Sequence, residues 1–313
     1  EVLSPGGIVS VDNVIETVAE EFLALDLSGS VAVKSSRTGE KIEGWSGQEI
    51  AGEIGGKLVE AGRKIDLTNP DVTLRIHLLA PSNRSTHPHE FTAEPVVAWG
   101  MTIHDGDDWA QRTAPNRPFF KPISLDPKLA RAMINLACSE GDRLLDPFCG
   151  TGGLIVEGVL CGLDCCGSDL AWPMVTGTRE NAGWAQERGG KGNFEIRNGS
   201  AVELSEIWDG QFDGFVFDPP YGRNAWKSAD GFELLCGALS SCSSVASDQA
   251  NLVTLIPWPP TALSGPIDEG QSFGKSWTEI SDVFVESGWE IVSTTPIRVH
   301  RSLARLLIHA NRA

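Results

Sequence analysis

Helical and strand-like hydrophobic patterns alternate from Asp126 to the end of the chain, and this alternation constrains the fold more than any other feature. Helices are predicted at Pro127–Cys138, Leu154–Leu160, Met174–Arg188, Gly231–Ser244 and 277–287. Strands are predicted at Arg143–Leu145, Asp164–Gly167, Phe194–Arg197, Phe212–Phe217, Asn251–Ile256, 289–295 and 304–310. Strand–helix–strand units cross over with a right hand and place their strands in parallel. We therefore predict an α/β fold with a seven-stranded, doubly wound sheet, closed at one edge by an antiparallel hairpin that turns near Pro296–Arg301.

Residues 1–110 follow a different pattern, which predicts a smaller α+β domain. Helices are predicted at Ile8–Leu25 and Ser46–Glu60, and strands at Ser30–Lys34, Val72–Leu79 and Val96–Ile103. Ser46 and Glu49 have the spacing of a capping box, which marks the start of the second helix. The segment 80–95 is expected to be a loop. The proline-rich segment 111–125 is expected to link this domain to the sheet domain at 126–313.

The charge pattern is ambiguous about partners. The formal net charge is −17, which is unusual for a protein that binds nucleic acid. No acidic residue follows Glu290, however, and the charged residues beyond it are Arg298, Arg301, Arg305 and Arg312. Two interpretations stay open: these arginines contact phosphate, or they close an edge of the sheet.

The seven cysteines occur at irregular spacing, without a Cys-x-x-Cys pair and without a histidine near the cluster at 161–166. An odd number at such spacing does not indicate a disulfide framework, and zinc sites use other ligand spacings. We therefore predict reduced thiols in a cytoplasmic protein and no metal site. No apolar stretch approaches the roughly 18 residues of a membrane span, so no membrane association is expected.

The segment Asp146–Gly153 (DPFCGTGG) joins the first predicted strand of the sheet to its helix, where open α/β sheets bind ligands. Its glycines allow a sharp turn, and Asp169 after the next strand can accept hydrogen bonds from ribose hydroxyls. The segment is neither a dinucleotide-binding motif nor a P-loop. We therefore expect a nucleoside ligand without phosphates, S-adenosylmethionine, rather than a turn without a ligand. The candidate contacts are Asp146, Phe148, Gly150, Thr151, Gly152, Asp169 and Leu170.

The fourth predicted strand ends in the second motif, Asp218, Pro219, Pro220 and Tyr221. The Asp218 carboxylate and the Pro219 carbonyl are acceptors that can hold the two N–H groups of an amine. Tyr221, the single tyrosine of the chain, offers a face on which a flat base can stack. From these four candidate catalytic residues we predict methylation of an amino nitrogen, driven by positioning of the amine for methyl transfer. The alternative is a proline-rich strand end without a catalytic role.

Together the two motifs resemble those of amino-methylating nucleic-acid methyltransferases. The segments Arg117–Ala130 (RPFFKPISLDPKLA) and Arg298–Leu303 (RVHRSL) narrow the resemblance to archaeal and eukaryotic tRNA guanosine-10 N2-methyltransferases. Ile65–Asp71 (IDLTNPD) resembles the end of a THUMP domain. The resemblance implies a Rossmann-like class I methyltransferase fold and transfer of one or two methyl groups to the N2 amine of a tRNA guanosine. It also implies a THUMP domain that binds the acceptor end of the tRNA.

The resemblance adds further expectations. The adenine contact falls to Ser200 and Ala201, where relatives often carry Gly-Asp-Ala. Relatives also carry a ferredoxin-like domain before THUMP, so this chain is expected to begin inside a longer product. Some relatives work with a small zinc-binding activator protein. A DNA adenine-N6 methyltransferase and a non-catalytic RNA-binding module are the competing functions.

Overall fold

The computed structural model describes residues 2–10, 13–38, 41, 44–80, 96–104, 109–122, 124–220, 229–263, 266–300 and 303–313. Within these ranges the chain divides into two compact units, Glu1–Asp107 and Asp108–Ala313. The loop expected at 80–95 lies outside the described residues from position 81 onward. In the described part, no helix is long and apolar enough to cross a membrane.

In its described residues, the first unit is a four-stranded sheet with two helices. Its elements are β1 (Val2–Ser10), α1 (Val14–Ala24), β2 (Val31–Thr38), α2 (Gly47–Glu60), β3 (Val72–Leu79) and β4 (Val96–His104). The strand order is β1-β4-β3-β2, with β2 and β3 parallel and the other pairs antiparallel. Phe22 of α1 packs edge-on against Trp99 of β4, and both are buried. The start of α2 is confirmed, because Ser46 Oγ accepts the Glu49 N–H at 3.3 Å.

The helix predicted from Ile8 is wrong over its first residues. Ile8 belongs to β1, where it pairs with Ala98 of β4, and α1 begins only at Val14. The apolar residues from Ile8 onward fit a helical period, but Val2–Ser10 pairs with β4, and this ladder satisfies backbone groups on one side of the strand. Pairing with a strand that is distant in sequence is not visible in local periodicity.

The second unit contains the larger sheet. Its helices are α3 (Pro127–Ala137), α4 (Gly153–Leu160), α5 (Trp172–Glu187), α6 (Leu204–Ile207), α7 (Ala229–Ser244) and α8 (Trp277–Glu286). Its strands are β5 (Arg143–Asp146), β6 (Asp164–Asp169), β7 (Asn193–Asn198), β8 (Phe212–Phe217), β9 (Ala246–Trp258), β10 (Gln271–Ser272), β11 (Lys275–Ser276), β12 (Trp289–His300) and β13 (Leu303–Arg312). The sequence did not predict α6, β10 or β11.

Over the described residues the large sheet has the predicted number of strands, seven, and their order is β12-β13-β9-β8-β5-β6-β7. The strands β5 to β9 run parallel to one another, and β13 is antiparallel to both β9 and β12. The turn predicted near Pro296–Arg301 is misplaced, because Pro296 and Arg298 still pair with β13. Proline is tolerated there because β12 is the last strand of the order and leaves one side without a ladder.

Apolar residues cover both faces of this sheet. Phe215 and Trp289 lie in the core on the α7 and α8 side, and Met133, Ile155 and Val253 lie in the core on the α3 to α5 side. The residues of both cores are buried and pack against the two faces of the sheet. The strand order turns at β5, which has β6 on one side and β8 on the other. The carboxyl ends of these three strands therefore form a switch point, where such sheets bind ligands.

Candidate active site

Three carboxylates lie at the ends of the strands of the switch point. Asp146 ends β5, Asp169 ends β6 and Asp218 directly follows β8. Asp146 is almost completely buried, and its carboxylate accepts the Phe148 N–H at 3.0 Å. Burial raises the pKa of Asp146 well above its ordinary value, and the charges of Asp169 and Asp218 raise it further. The structure therefore brings the acids of both sequence motifs into one electrostatic site.

The backbone after β5 turns through two glycines in the left-handed region. Gly150 has a φ of 51° and Gly152 a φ of 74°, where other residues are strained. A Cβ on Gly152 would also lie 2.8 Å from the Thr178 methyl carbon. Thr178 Oγ1 donates to the Gly150 carbonyl at 2.8 Å, so α5 holds the turn from behind. This glycine turn (146–153) leaves bare backbone facing the switch point.

Asp169 connects the glycine turn to the end of β6. Its Oδ2 accepts the Gly150 N–H at 3.0 Å, and its Oδ1 accepts the Ala171 N–H at 2.8 Å. A carboxylate oxygen has a second lone pair, so both oxygens can still accept a hydroxyl of a ribose. The carboxylate is half-buried, which leaves it open to a ligand.

The ends of β6 and β7 form one wall of the site. Asn198 Nδ2 donates to the carbonyls of Asp169 at 2.8 Å and Leu170 at 2.9 Å. Leu170 is 74% exposed, an unusual environment for a leucine, and offers an apolar contact. Ser200 is half-buried and Ala201 is buried in the following turn. Sequence reasoning missed Asn198, because an asparagine at a strand end has no signature of its own.

A segment before the sheet domain packs against the glycine turn. Asn181 of α5 is fully buried, and its amide donates to the carbonyls of Phe119 at 2.6 Å and Thr151 at 2.7 Å. Its Oδ1 accepts the Phe119 N–H at 3.0 Å. The ring of Phe119 lies where a side chain on Gly177 would stand, 2.0 Å from an ideal Cβ. Sequence reasoning missed both residues: Asn181 ties the segment around Phe119 to the turn, and Gly177 leaves room for the Phe119 ring.

The second motif lies beside the first. The rings of Phe148 and Phe217 are 5.7 Å apart, so the residue before Asp218 packs on the glycine turn. Asp218 is half-buried, Pro219 is buried and Pro220 is exposed, while Tyr221 lies outside the described residues. Burial raises the pKa of Asp218, and Arg305 of β13, whose Nε lies 3.5 Å from Asp218 Oδ1, lowers it. Arg305 was noted in the sequence only as part of a basic segment.

The donor set suits a nucleoside better than a metal. Within the described ranges, no group of three or more histidine, cysteine or acidic residues has the arrangement of a metal site. All seven cysteines are free. The bare glycine turn, the half-buried Asp169 and the exposed Leu170 match the backbone, ribose and adenine contacts that S-adenosylmethionine requires. The residues present therefore fit this cofactor.

Strand order, switch point and glycine turn define this unit as a class I methyltransferase fold. The chain is similar to the crystal structure of TrmN from Thermus thermophilus, with a TM-score of 0.51 and 17% sequence identity. The superposition covers 99% of this chain and 82% of the TrmN chain. Residues 115–258 match the family described as UPF0020, RMKL-like, methyltransferase domain, and residues 11–80 match the THUMP domain. The chain thus combines a THUMP domain with a methyltransferase domain of the RMKL-like type.

Two archaeal relatives are named tRNA (guanine(10)-N2)-dimethyltransferase. The chain is 36% identical over 177 residues to that of Methanothermobacter thermautotrophicus, covering 56% of this chain and 47% of the relative. It is 30% identical over 253 residues to that of Pyrococcus abyssi, covering 80% of this chain and 65% of the relative. The aligned part of the chain therefore spans less than two thirds of each relative's length.

Proposed function

We propose that this chain transfers methyl groups from S-adenosylmethionine to the exocyclic N2 amine of a guanosine in tRNA. We place the target at position 10, with N2-methyl- and N2,N2-dimethylguanosine as products, because the two archaeal relatives are named for that reaction. The observation that carries the proposal is the position of Asp218 at the end of β8, beside the glycine turn.

The cofactor would be held by residues of β5, β6 and the turn after β7. Asp169 would accept the ribose hydroxyls, Leu170 would contact the adenine ring, and Ser200 and Ala201 would lie at its edge. When bound, the cofactor supplies an electrophilic methyl group on a sulfonium. Asp146 shapes the turn through its hydrogen bond with the Phe148 N–H. The backbone at Gly150, Thr151 and Gly152 would allow the cofactor to approach closely.

The amine would be held by Asp218 and the Pro219 carbonyl. A carboxylate and a carbonyl accept hydrogen bonds from the two N–H groups and orient the nitrogen lone pair for in-line transfer. This role requires Asp218 in its ionised form, because a protonated carboxyl would present a donor. Stacking of the base on Tyr221 remains a prediction from the sequence.

The first unit, which contains the THUMP match at residues 11–80, supports a tRNA substrate. A groove of about 440 Å³ between β2 and α2 is lined by Arg37, Lys41 and Trp45. Cationic and aromatic side chains in one groove suit a phosphate backbone with unstacked bases. We expect tRNA affinity to fall as salt rises, since phosphate contacts release counterions.

A small zinc-binding activator protein is proposed as a second partner. The outer strand β12 and the neighbouring helix α8 expose Val292, Val299 and Val285, each at least half exposed. Co-expression tests this part: a gain in solubility or activity with the activator supports it, and full activity of the chain alone removes it. Localisation in the cytoplasm likewise remains a prediction, consistent with the free cysteines.

The test is tritium transfer from labelled S-adenosylmethionine to unmodified tRNA and to duplex DNA, followed by mass spectrometry of the nucleosides. We expect N2-methylated guanosine from tRNA, and loss of transfer in Asp218→Ala but not in Asp209→Ala, an exposed aspartate of the same unit. Label in DNA alone would instead identify an adenine-N6 methyltransferase. Absence of cofactor binding by calorimetry, with RNA binding unchanged in Asp218→Ala, would identify a binding module.

A further inference from the structure

We propose that Arg305 is a positioning residue for Asp218, holding one carboxylate oxygen so that the other faces the target amine. The inference rests on the proposed function, because it concerns the residue that would hold the amine. Arg305 is part of the basic segment after Glu290, for which the sequence left two interpretations open.

The topology of the sheet brings Arg305 to the site. Because β13 is antiparallel to β9, its first residues lie level with the last residues of β9, and Arg305 pairs with Pro257. The carboxyl end of β8 lies on the other side of β9, at the same end of the strands. An arginine side chain is long enough to cross one strand. It therefore reaches Asp218 from two strands away.

Packing fixes the direction of this side chain. Ala304 and Leu306, the neighbours of Arg305, are fully buried in the core on the α7 and α8 side. Side chains alternate along a strand, so Arg305 points to the opposite face. Its side chain is only 17% exposed. The guanidinium is thus held by the strand rather than mobile in solvent.

The contact with Arg305 gives the two carboxylate oxygens of Asp218 different surroundings. Asp218 Oδ1 is shielded from solvent, accepts no hydrogen bond from the described residues, and lies 3.5 Å from Arg305 Nε. The Asp218 side chain as a whole nevertheless keeps 29% of its surface exposed, so this exposure belongs to its other atoms. At this separation the contact is mainly a charge interaction. Oδ1 faces the arginine, and the remainder of the side chain carries the surface that solvent and a ligand can reach.

The permanent charge of Arg305 also opposes the effect of burial. Burial raises the pKa of Asp218, and the Arg305 charge lowers it. The charged groups that face Asp218 in the described part of the chain are Arg305 from β13 and the carboxyl of Asp146 from β5. Asp146 cannot supply the compensation, because a carboxyl group is either neutral or negative and never carries a positive charge. An arginine stays protonated at every relevant pH and supplies it continuously.

The experiment compares Arg305→Lys, Arg305→Met and Arg188→Ala in methyl transfer to tRNA. Arg188 is an exposed arginine at the end of α5, stacked on Trp184, and serves as the control for loss of one positive charge. We expect Arg305→Met to lower kcat by about tenfold or more, the scale of a misoriented catalytic group. The KM for tRNA and the calorimetric affinity for S-adenosylmethionine should stay within about twofold, as expected when only transition-state interactions change.

Two further readouts separate positioning from a structural role. Arg305→Lys should recover part of kcat, because it restores the charge without the guanidinium geometry. In Arg305→Met no arginine charge opposes the effect of burial on Asp218, so the pKa of Asp218 rises further. The acid limb of the pH profile of kcat should therefore move to higher pH. Unchanged kcat and an unchanged acid limb in Arg305→Met would overturn the inference. A wild-type chain that binds S-adenosylmethionine but does not methylate tRNA guanosine would instead overturn the proposed function.

Discussion

The clamp between Phe119 and α5 gives a stability prediction with a matched control inside one helix. Gly177 and Gly183 both lie in α5. An ideal Cβ on Gly177 would stand 2.0 to 2.4 Å from three carbons of the Phe119 ring, whereas a Cβ on Gly183 meets nothing within 4 Å. The same change to alanine therefore removes helix flexibility at both positions but creates a steric conflict at only one.

The expected magnitudes follow from these two environments. Alanine in place of glycine inside a helix stabilises by about 1 kcal/mol, which is the whole effect expected for Gly183→Ala. Overpacking at Gly177 costs roughly 1–3 kcal/mol, so Gly177→Ala should range from neutral to about 2 kcal/mol destabilising. Because 1 kcal/mol shifts the Tm of a domain of this size by roughly 2–4 °C, Gly177→Ala should melt roughly 2–12 °C below Gly183→Ala.

The assay is thermal unfolding of the two variants and of the double variant Gly177→Ala with Phe119→Ala. Removing the ring removes the obstacle, so Gly177→Ala should no longer destabilise when Phe119 is alanine. Equal melting temperatures for Gly177→Ala and Gly183→Ala would refute the packing of Phe119 on α5. A penalty that persists without the Phe119 ring would place the conflict elsewhere.

Three further predictions concern buried or ligand-facing acids. Glu157 of α4 is fully buried and contacts Arg112 Nε at 2.9 Å and an Arg131 terminal nitrogen at 2.8 Å, so Glu157→Gln should lower the free energy of unfolding by about 3–5 kcal/mol, measured by urea denaturation. The pKa of Asp146 is raised in the folded state, so ionisation of this carboxyl is easier in the unfolded chain. Above the ordinary carboxyl pKa, the contribution of Asp146 to the free energy of unfolding therefore decreases as pH rises. The Tm of the wild type relative to Asp146→Asn should therefore fall as pH rises, measured from about pH 4 to 8. Asp169→Ala should weaken S-adenosylmethionine binding about 10- to 100-fold by calorimetry, because two ribose hydrogen bonds are lost.

Controls separate these effects from general damage. Glu195→Gln removes an exposed partner of Arg197 and should leave the free energy of unfolding nearly unchanged, unlike Glu157→Gln. A Tm difference between wild type and Asp146→Asn that does not vary with pH would contradict the charge argument. Asp169 also accepts two backbone N–H groups, so the affinity of Asp169→Ala is interpreted only if its melting curve stays cooperative. Wild-type affinity in that folded variant would exclude the ribose contact.

Local signals in the sequence were sufficient for most of the methyltransferase sheet. Phe212–Phe217 is bounded by its own apolar run and by the prolines that follow, so the strand was predicted with its observed limits. Gly150 and Gly152 indicated a sharp turn because no other residue adopts their backbone angles as readily, and both have positive φ. The helix α2 was likewise marked by Ser46 at its first turn.

Errors and omissions arose where long-range pairing decides the outcome. The apolar spacing near Ile8 fits a helix, but β4 offers a ladder and the segment is a strand. Pro296 is typical of a turn, yet it continues β12 because an outer strand tolerates a missing N–H. The strand β4 is distant from β1 in the sequence, so that ladder could not enter a local argument. The strand β13 directly follows β12, and there the missing information is the strand order, which leaves β12 outermost.

The sequence by itself determined the type of sheet, the glycine turn and the acid that ends β8, because each depends on residues that are neighbours in the chain. Only the tertiary structure decided what surrounds Asp218. The register of β13 against β9 places Arg305 at the rim of the site, and α5 holds the glycine turn through Thr178 and Asn181. These contacts depend on crossovers and strand order, which set distances between residues far apart in the sequence.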